Sequence, residues 1–226
     1  MTSQPLVHQL KVQQAPFKNY TYLVIDRETR TAAIVDPAWE PDPILAAIRS
    51  LDVRLDAILL THSHFDHVNL VEVLSTSFAP RVYMHRREID FYGYSCRNLI
   101  ALEHQDVVRV GATEIRCLNT PGHTAGSACF VAGRALFSGD TLFTEGCGVC
   151  DTHGGSAEAM FGSMQQLKAA IAGDVAVYPG HSFGKEPGHP FEYLLRNNVY
   201  LNIPDEKRFV QFRMRAVNPR THFEFH

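Results

Sequence analysis

The chain has 226 residues, a formal net charge of −3 and a hydrophobic content of 45%. This size can bury the core of one large domain, and the slightly acidic charge excludes the broad basic surface typical of nucleic-acid binding. No stretch approaches the length of a membrane-spanning helix, and the N-terminal residues lack the pattern of a signal peptide. We therefore expect a cytoplasmic protein with one domain, residues 1–226, and with neither nucleic acid nor membrane as a partner.

The first half predicts a β-hairpin followed by a helix and a strand. Tyr20–Ile25 and Thr31–Val35 have the composition of strands, with a polar turn between them. Prolines at the start of Pro41–Arg49 favour a helix, and the apolar run within Leu55–Leu60 predicts a buried strand. The apolar spacing of Val68–Leu74 predicts a second helix.

The second half repeats this order of elements. Its predicted strands and helices are the strands Glu114–Leu118, Ala128–Val131 and Arg134–Phe137, the helix Ala157–Ile171, the strand Val175–Tyr178 and the helix Phe191–Leu201. Hairpin strands followed by a helix and a strand, in both halves, indicate two mixed sheets covered by helices. The residues after His181 are too few for a second full domain, and we expect them to form a short helical and basic tail.

The densest group of potential metal ligands follows the strand Leu55–Leu60 directly. His62, His64, Asp66 and His67 lie within six residues, at the end of this strand and the start of the next predicted helix. Strand ends and helix starts hold side chains rigidly, as a metal site requires. Histidine and carboxylate ligands at this spacing predict a metal-assisted hydrolase.

Three more candidates follow apolar strands and a glycine that permits a sharp turn. His123 and His181 each end a Pro-Gly-His tripeptide, and Asp140 ends Ser-Gly-Asp. Each one alone is an ordinary turn residue, but their recurrence beside the histidine run makes them metal-ligand candidates. Other histidines lack this context and are predicted to be surface or packing residues, among them His8, His85, His104 and His189.

Together, these seven residues resemble the metallo-β-lactamase superfamily over nearly the whole chain. The resemblance implies an α/β fold, a four-layer αβ/βα sandwich of two mixed β-sheets flanked by helices, with two divalent metal ions at the edge of the sheets. Zinc is the expected metal. The resemblance also implies that Asp36 braces the histidine loop, and it implies the following ligands: His62, His64 and His123 for one ion, Asp66, His67 and His181 for the other, and Asp140 between them.

Within the superfamily, the pattern is most similar to glyoxalase II and related thioester hydrolases. A bridging Asp140 is not a feature of true β-lactamases, and Leu142–Gly148 is similar to the glyoxalase II loop that follows the bridging aspartate. The part after His181 is shorter than the glyoxalase II tail that helps to bind glutathione. With Cys147–Gly155 and Phe209–Arg215, it is similar to the stand-alone zinc hydrolases encoded with trans-acyltransferase polyketide synthases.

This resemblance implies a thioester hydrolase of polyketide and antibiotic biosynthesis. Its substrate would be an acyl group on the phosphopantetheine arm of an acyl carrier protein, attacked by a hydroxide that the two metal ions share, with Asp66 as the catalytic residue that orients the hydroxide and accepts its proton. Three alternatives remain open: a hydroxyacylglutathione hydrolase, a persulfide dioxygenase with one iron, and a non-catalytic binding module. The last is disfavoured because such modules usually lack ligands, and no ligand is missing here.

The roles of several other residues stay open. Cys147 and Cys150 form a CxxC pair that fits a redox motif, half of a zinc knuckle or ordinary loop thiols, and the odd, scattered set of five cysteines favours reduced thiols. His153 is a candidate proton donor or a polar loop residue. Six tail cations are candidates for contact with a phosphate or an acidic carrier protein, or are simply solvated: Lys185, Arg196, Lys207, Arg208, Arg213 and Arg215.

Overall fold

Two six-stranded β-sheets form the centre of the protein, whose computed structural model describes residues 4–215. The first sheet contains, in order across it, β1 Leu6–Gln14, β2 Phe17–Ile25, β3 Thr31–Val35, β4 Arg54–Leu60, β5 Arg81–His85 and β6 Leu99–Leu102. The second contains β7 Val107–Val110, β8 Thr113–Asn119, β9 Ala128–Ala132, β10 Ala135–Gly139, β11 Ala176–Pro179 and β12 His189–Pro190. The ends of the predicted domain, residues 1–3 and 216–226, lie outside the described residues.

Both sheets are mixed, as predicted. In the first sheet, β1, β2 and β3 pair antiparallel, whereas β3 to β6 pair parallel. In the second, β7 to β10 pair antiparallel, β10 and β11 pair parallel, and β12 is antiparallel to β11. Because β8 and β10 are both antiparallel to β9, the carboxyl ends of β8, β10 and β11 point to the same edge.

Helices cover the outer faces of the two sheets. They are α1 Pro41–Ser50, α2 Phe65–Val68, α3 Val71–Phe78, α4 Arg86–Tyr92, α5 Ala157–Ala170, α6 Phe191–Asn197, α7 Val199–Asn202 and α8 Glu206–Arg213. The inner sheet faces pack on each other through residues such as Tyr22 and Phe137. The outer faces pack on α1 and α3 in one half and on α5 to α8 in the other. The predicted four-layer αβ/βα sandwich is therefore confirmed.

The predicted helix over Val68–Leu74 is wrong, because the chain forms the two shorter helices α2 and α3 there. The break falls at Asn69 and Leu70. Asn69 Oδ1 accepts a hydrogen bond from Trp39 N (2.8 Å), and Leu70 N donates to Pro37 O (3.3 Å). These contacts with the segment after β3 compete with a continuous helix.

The predicted helix Phe191–Leu201 is also interrupted, at Asn198. The buried Asn198 Nδ2 donates to Phe143 O (3.0 Å) and Gly146 O (2.9 Å), and its Oδ1 caps α7 by accepting from Tyr200 N. Sequence spacing carries no sign of these distant partners. None of the helices within residues 4–215 combines the length and the apolar character that a bilayer crossing needs.

Candidate metal centre

Four strand ends bring the predicted metal ligands together at one edge of the sandwich. The chain leaves β4 before the first two histidines, β8 before His123, β10 at Asp140 and β11 before His181. Ligand atoms of His62, His64 and His123 all lie within 4.8 Å of one another, and so do those of Asp66, His67 and His181. The two triads share one edge, and each combines residues from both halves of the chain.

Asp140 lies between the two triads. Its Oδ2 is 3.6 Å from His123 Nε2 and 3.4 Å from His181 Nε2, and its Oδ1 is 3.5 Å from His67 Nε2. The turn that presents it requires Gly139, which has a φ of 47° and lies so close to Thr61 that an added Cβ would collide with that side chain. The Asp140 carboxylate can therefore contact a cation bound by either triad.

Three buried ligand atoms have no hydrogen-bond partner within residues 4–215. They are His62 Nε2, His67 Nε2 and Asp140 Oδ1. Most buried polar atoms in folded proteins are hydrogen-bonded, so unpaired atoms that face one another call for a bound group. Imidazole nitrogen and carboxylate oxygen are ligands for zinc and similar divalent cations. The donor set therefore fits a pair of divalent cations.

Hydrogen bonds orient the histidine rings from behind. The Nδ1 atom lies 2.7 Å from Val149 O in His123 and 2.8 Å from Lys18 O in His181. A carbonyl oxygen only accepts, so each Nδ1 carries a proton and each Nε2 is the ring nitrogen left to bind a cation. In His64, Nδ1 rather than Nε2 faces the other candidate ligands, because it lies 3.0 Å from His123 Nε2.

Asp36 orients His67 in a similar way, as the family resemblance implied. Its Oδ2 lies 2.9 Å from His67 Nδ1, while its carboxylate accepts from Thr61 N (2.8 Å) and Thr61 Oγ1 (2.6 Å). Asp36 is buried and adopts a left-handed φ of 47°. It therefore ties the end of β3 to the residue that precedes the histidine run.

Glu88 joins two ligand loops, and sequence reasoning missed it. Its side chain is fully buried and accepts four hydrogen bonds: Oε1 from Ser63 N (2.8 Å) and Ser63 Oγ (2.7 Å), and Oε2 from Thr124 Oγ1 (2.8 Å) and Gly126 N (2.9 Å). A glutamate in the first turn of α4 is an ordinary helix feature. Burial of a carboxylate among these donors is visible only in three dimensions.

We expect Glu88→Ala to lower the free energy of unfolding by about 3 kcal/mol, because it leaves the buried donors of Thr124 and Gly126 without an acceptor. Urea denaturation followed by circular dichroism measures this change. Asp90→Asn, on an exposed position of the same helix, is the matched control and should change the value by less than about 0.5 kcal/mol. Equal effects of the two substitutions would contradict the role of Glu88.

Asp66 is ionised in the metal-free protein. Burial favours its neutral form, but the hydrogen bond from His181 and the charge of His67 outweigh burial and hold the pKa of Asp66 well below its usual range. Asn19 Nδ2 donates to Asp66 Oδ2 (3.1 Å) and to Asp66 O (2.8 Å), and Trp39 Nε1 donates to Asn19 Oδ1 (2.7 Å). The carboxylate is thus charged and oriented.

The histidines divide into two electrostatic groups. Burial lowers the pKa of His62 well below its usual value and also lowers the pKa of His64, so both rings are neutral and ready to bind a cation. Burial opposes the charged form of His181 as well, but the charge of Asp140 and the hydrogen bond to Asp66 raise its pKa to about 9. His181 is therefore protonated near neutral pH, and a metal ion would have to displace this proton to bind.

Metal loading at pH 7.5 is expected to release a proton from His181. Since the pKa of His181 is about 9 without metal, the ring is protonated below that pH and neutral above it. Its contribution to the number of protons released on metal binding should therefore disappear as the pH rises past 9. Calorimetric zinc titrations in buffers of different ionisation enthalpy count the protons. His181→Gln should release about one proton fewer at pH 7.5; an unchanged count would disprove this assignment.

A cavity of about 910 Å³ opens onto the centre. It is lined by five candidate ligands, His64, Asp66, His123, Asp140 and His181. Aromatic side chains, including Phe143 and Phe183, provide apolar wall, and Lys18, Arg213 and Arg215 provide positive charge. Of the six tail cations considered above, four are exposed and lie outside this lining: Lys185, Arg196, Lys207 and Arg208.

The remaining candidates are now placed. Cys147 and Cys150 are buried free thiols and belong to no metal-binding group within residues 4–215. Burial raises the pKa of Cys150 to about 11 and that of Cys147 further, so both stay protonated. His153 is exposed, packs its ring near Phe91 and is not among the lining residues. His85 is buried and caps α4.

The fold and this site together define a class of protein. The chain belongs to the metallo-β-lactamase superfamily, whose family model matches residues 15–181. It is 51% identical over 219 residues to the "probable polyketide biosynthesis zinc-dependent hydrolase BaeB" of Bacillus velezensis, covering 97% of each chain. It is 46% identical to the similarly described PksB of Bacillus subtilis, again with 97% of each chain covered.

Two further comparisons concern thioester chemistry and metal content. A hydroxyacylglutathione hydrolase of Alkalilimnicola ehrlichii is 41% identical over 166 residues, which cover 73% of this chain and 62% of that protein. The crystal structure of TTHA1623 in a di-iron-bound form superposes with a TM-score of 0.71 at 29% identity, covering 85% of this chain and 100% of that one. The fold thus accommodates two metal ions in that related structure.

Proposed function

We propose that this protein is a metal-dependent hydrolase of polyketide biosynthesis, and that it cleaves acyl thioesters carried on the phosphopantetheine arm of an acyl carrier protein. One observation carries the proposal: two complete ligand triads, one of three histidines and one of two histidines and an aspartate, lie on either side of Asp140 and open onto one cavity, in a chain that is 51% identical to a hydrolase described as polyketide-associated. Complete ligand sets favour an enzyme over a binding module that only keeps the fold.

The proposal assigns the ligands by position. His62, His64 and His123 would hold one divalent cation, Asp66, His67 and His181 the other, and Asp140 both. Such a pair, when bound, supplies a hydroxide near neutral pH and stabilises negative charge on the substrate carbonyl oxygen. Zinc is the expected metal because relatives with nearly full coverage are described as zinc-dependent.

Asp66 is the catalytic residue of this proposal. It lines the cavity, it is ionised, and Asn19 orients it from the side that faces the protein. A carboxylate in this position can orient the attacking water by accepting a hydrogen bond and can take up its proton. The leaving thiolate needs little help from an acid, because thiols have a pKa of about 8.5. This fits a cavity that His153 does not line.

A second candidate function is hydrolysis of hydroxyacylglutathione. It is favoured by the 41% identity to a hydroxyacylglutathione hydrolase. Hydroxyacylglutathione is itself a thioester, so the two candidates differ in the carrier rather than in the bond that breaks.

The deciding experiment compares one acyl group on four carriers: an acyl carrier protein, coenzyme A, a short cysteamine and glutathione. We expect the highest kcat/KM with the carrier protein. The highest kcat/KM with glutathione would establish the second candidate instead. No thioester cleavage, together with oxygen consumption by an enzyme that holds one iron, would replace both with the dioxygenase alternative.

A further inference from the structure

One charged residue of the cavity has no part in the chemistry described so far. Arg213, at the end of α8, is half-buried and lines the same cavity as the candidate ligands. Its Nε donates to Gly148 O (2.9 Å), and its Nη1 donates to Tyr200 Oη (3.3 Å). A guanidinium has five N–H groups, so Arg213 keeps donors available for a ligand.

The charge of Arg213 has no carboxylate partner within residues 4–215. Burial works to lower the pKa of Arg213, and the neighbours that raise it are the thiols of Cys147 and Cys150 and the hydroxyl of Tyr200, none of them a carboxylate. Arg208 on the same helix, by contrast, pairs with Asp205 at 3.3 Å. A partly buried, unpaired guanidinium attracts an anion more strongly than a solvated one does. The Gly148 and Tyr200 contacts also hold the side chain in place.

The other charges of the cavity favour an anionic ligand. Lys18 and Arg215 line it as well, and Glu145 is the one acidic lining residue besides the candidate ligands. Glu145 Oε1 accepts a hydrogen bond from Tyr193 Oη at 2.6 Å, which occupies part of its carboxylate. The remaining wall contains apolar residues such as Phe183 and Val199. An uncharged arm that ends in one anionic group would match this lining.

We infer that Arg213 is the residue that recognises the phosphate of the phosphopantetheine arm, while the thioester at the other end of the arm lies at the metal centre. The inference rests on the proposed function and adds how the enzyme recognises the carrier. A guanidinium binds phosphate oxygens through two parallel N–H groups, a geometry that a lysine ammonium does not offer.

The test compares acyl-pantetheine with acyl-4′-phosphopantetheine, two thioesters that differ only in the phosphate. In the wild-type enzyme, kcat/KM for the phosphorylated substrate should be about 10-fold higher, the usual effect of a hydrogen bond between charged groups. The preference should shrink as salt screens the charges. In Arg213→Gln the ratio of the two kcat/KM values should fall to near 1, and in Arg213→Lys it should be intermediate.

The ratio of the two kcat/KM values within each variant distinguishes a loss of phosphate recognition from structural damage. Arg213 also supports the loop at Gly148, and loss of that support would slow both substrates equally and leave the ratio unchanged. Arg208→Gln removes the same charge from an exposed position on α8 and should keep the wild-type ratio. A wild-type ratio near 1, or a preference that survives in Arg213→Gln, would overturn the inference. Failure of the wild type to hydrolyse either thioester would instead refute the proposed function.

Discussion

Substituting asparagine for Asp66 is expected to lower kcat/KM for thioester hydrolysis by about 10³-fold, within the range that a lost general base costs. The amide has nearly the shape of the carboxylate but lacks its charge and its ability to take up a proton. In the folded chain, Asp66 is ionised and oriented by Asn19 Nδ2, so the substitution removes a prepared group. Steady-state kinetics on a carrier-bound or small thioester measures the loss.

Asp151→Asn provides the matched control for this substitution. Asp151 is an exposed aspartate of the loop after Cys150, and it is not among the residues that line the cavity. It should keep wild-type kinetics. Metal analysis of both variants shows whether Asp66→Asn also loses a ligand. Activity of Asp66→Asn within 10-fold of wild type would rule out Asp66 as the catalytic carboxylate.

Removing the metal ions with a chelator is expected to abolish hydrolysis and to lower the Tm by about 10 °C or more, and zinc should restore both. Without metal, His62 Nε2, His67 Nε2 and Asp140 Oδ1 are buried without partners in the described structure. Each such atom costs about 1–3 kcal/mol. Elemental analysis should find two metal ions per loaded chain, and differential scanning calorimetry measures the Tm.

His153→Ala is the control for metal content, because His153 is exposed and outside the cavity lining. This variant should retain two equivalents of metal and full activity, which would also exclude His153 as a proton donor. His62→Ala should retain less metal. One equivalent of iron in the wild-type protein would contradict the two-metal expectation and favour the dioxygenase alternative.

The ligand candidates could be predicted because short sequence patterns identify them. His62, His64, Asp66 and His67 are neighbours in the chain, and His123 and His181 each follow Pro-Gly at a strand end. The two-sheet sandwich followed from the order of strands and helices, and from the resemblance. Their convergence within a few ångströms depended on all four strand ends reaching one edge.

Other features had no local signal. Glu88 and Asn19 are ordinary polar residues in the sequence, and only tertiary contacts to Ser63, Thr124 and Asp66 give them a positional role. The edge strand β1 was missed because only one of its nine residues, Val12, is buried, and polar residues such as Gln9 and Lys11 interrupt its apolar pattern. The break at Asn198 depends on carbonyl groups of a loop more than fifty residues earlier.

The division of the ligands between the two halves has a kinetic consequence. Each triad takes two residues from the segment after β4 that includes α2, in the first half, and one from the loops of the second sheet. A metal ion bound to either triad would therefore join the two halves of the chain across the inner apolar layer. If both ions bind as proposed, the sheets could not separate without breaking coordination bonds, and we expect metal release to limit how fast the loaded protein unfolds.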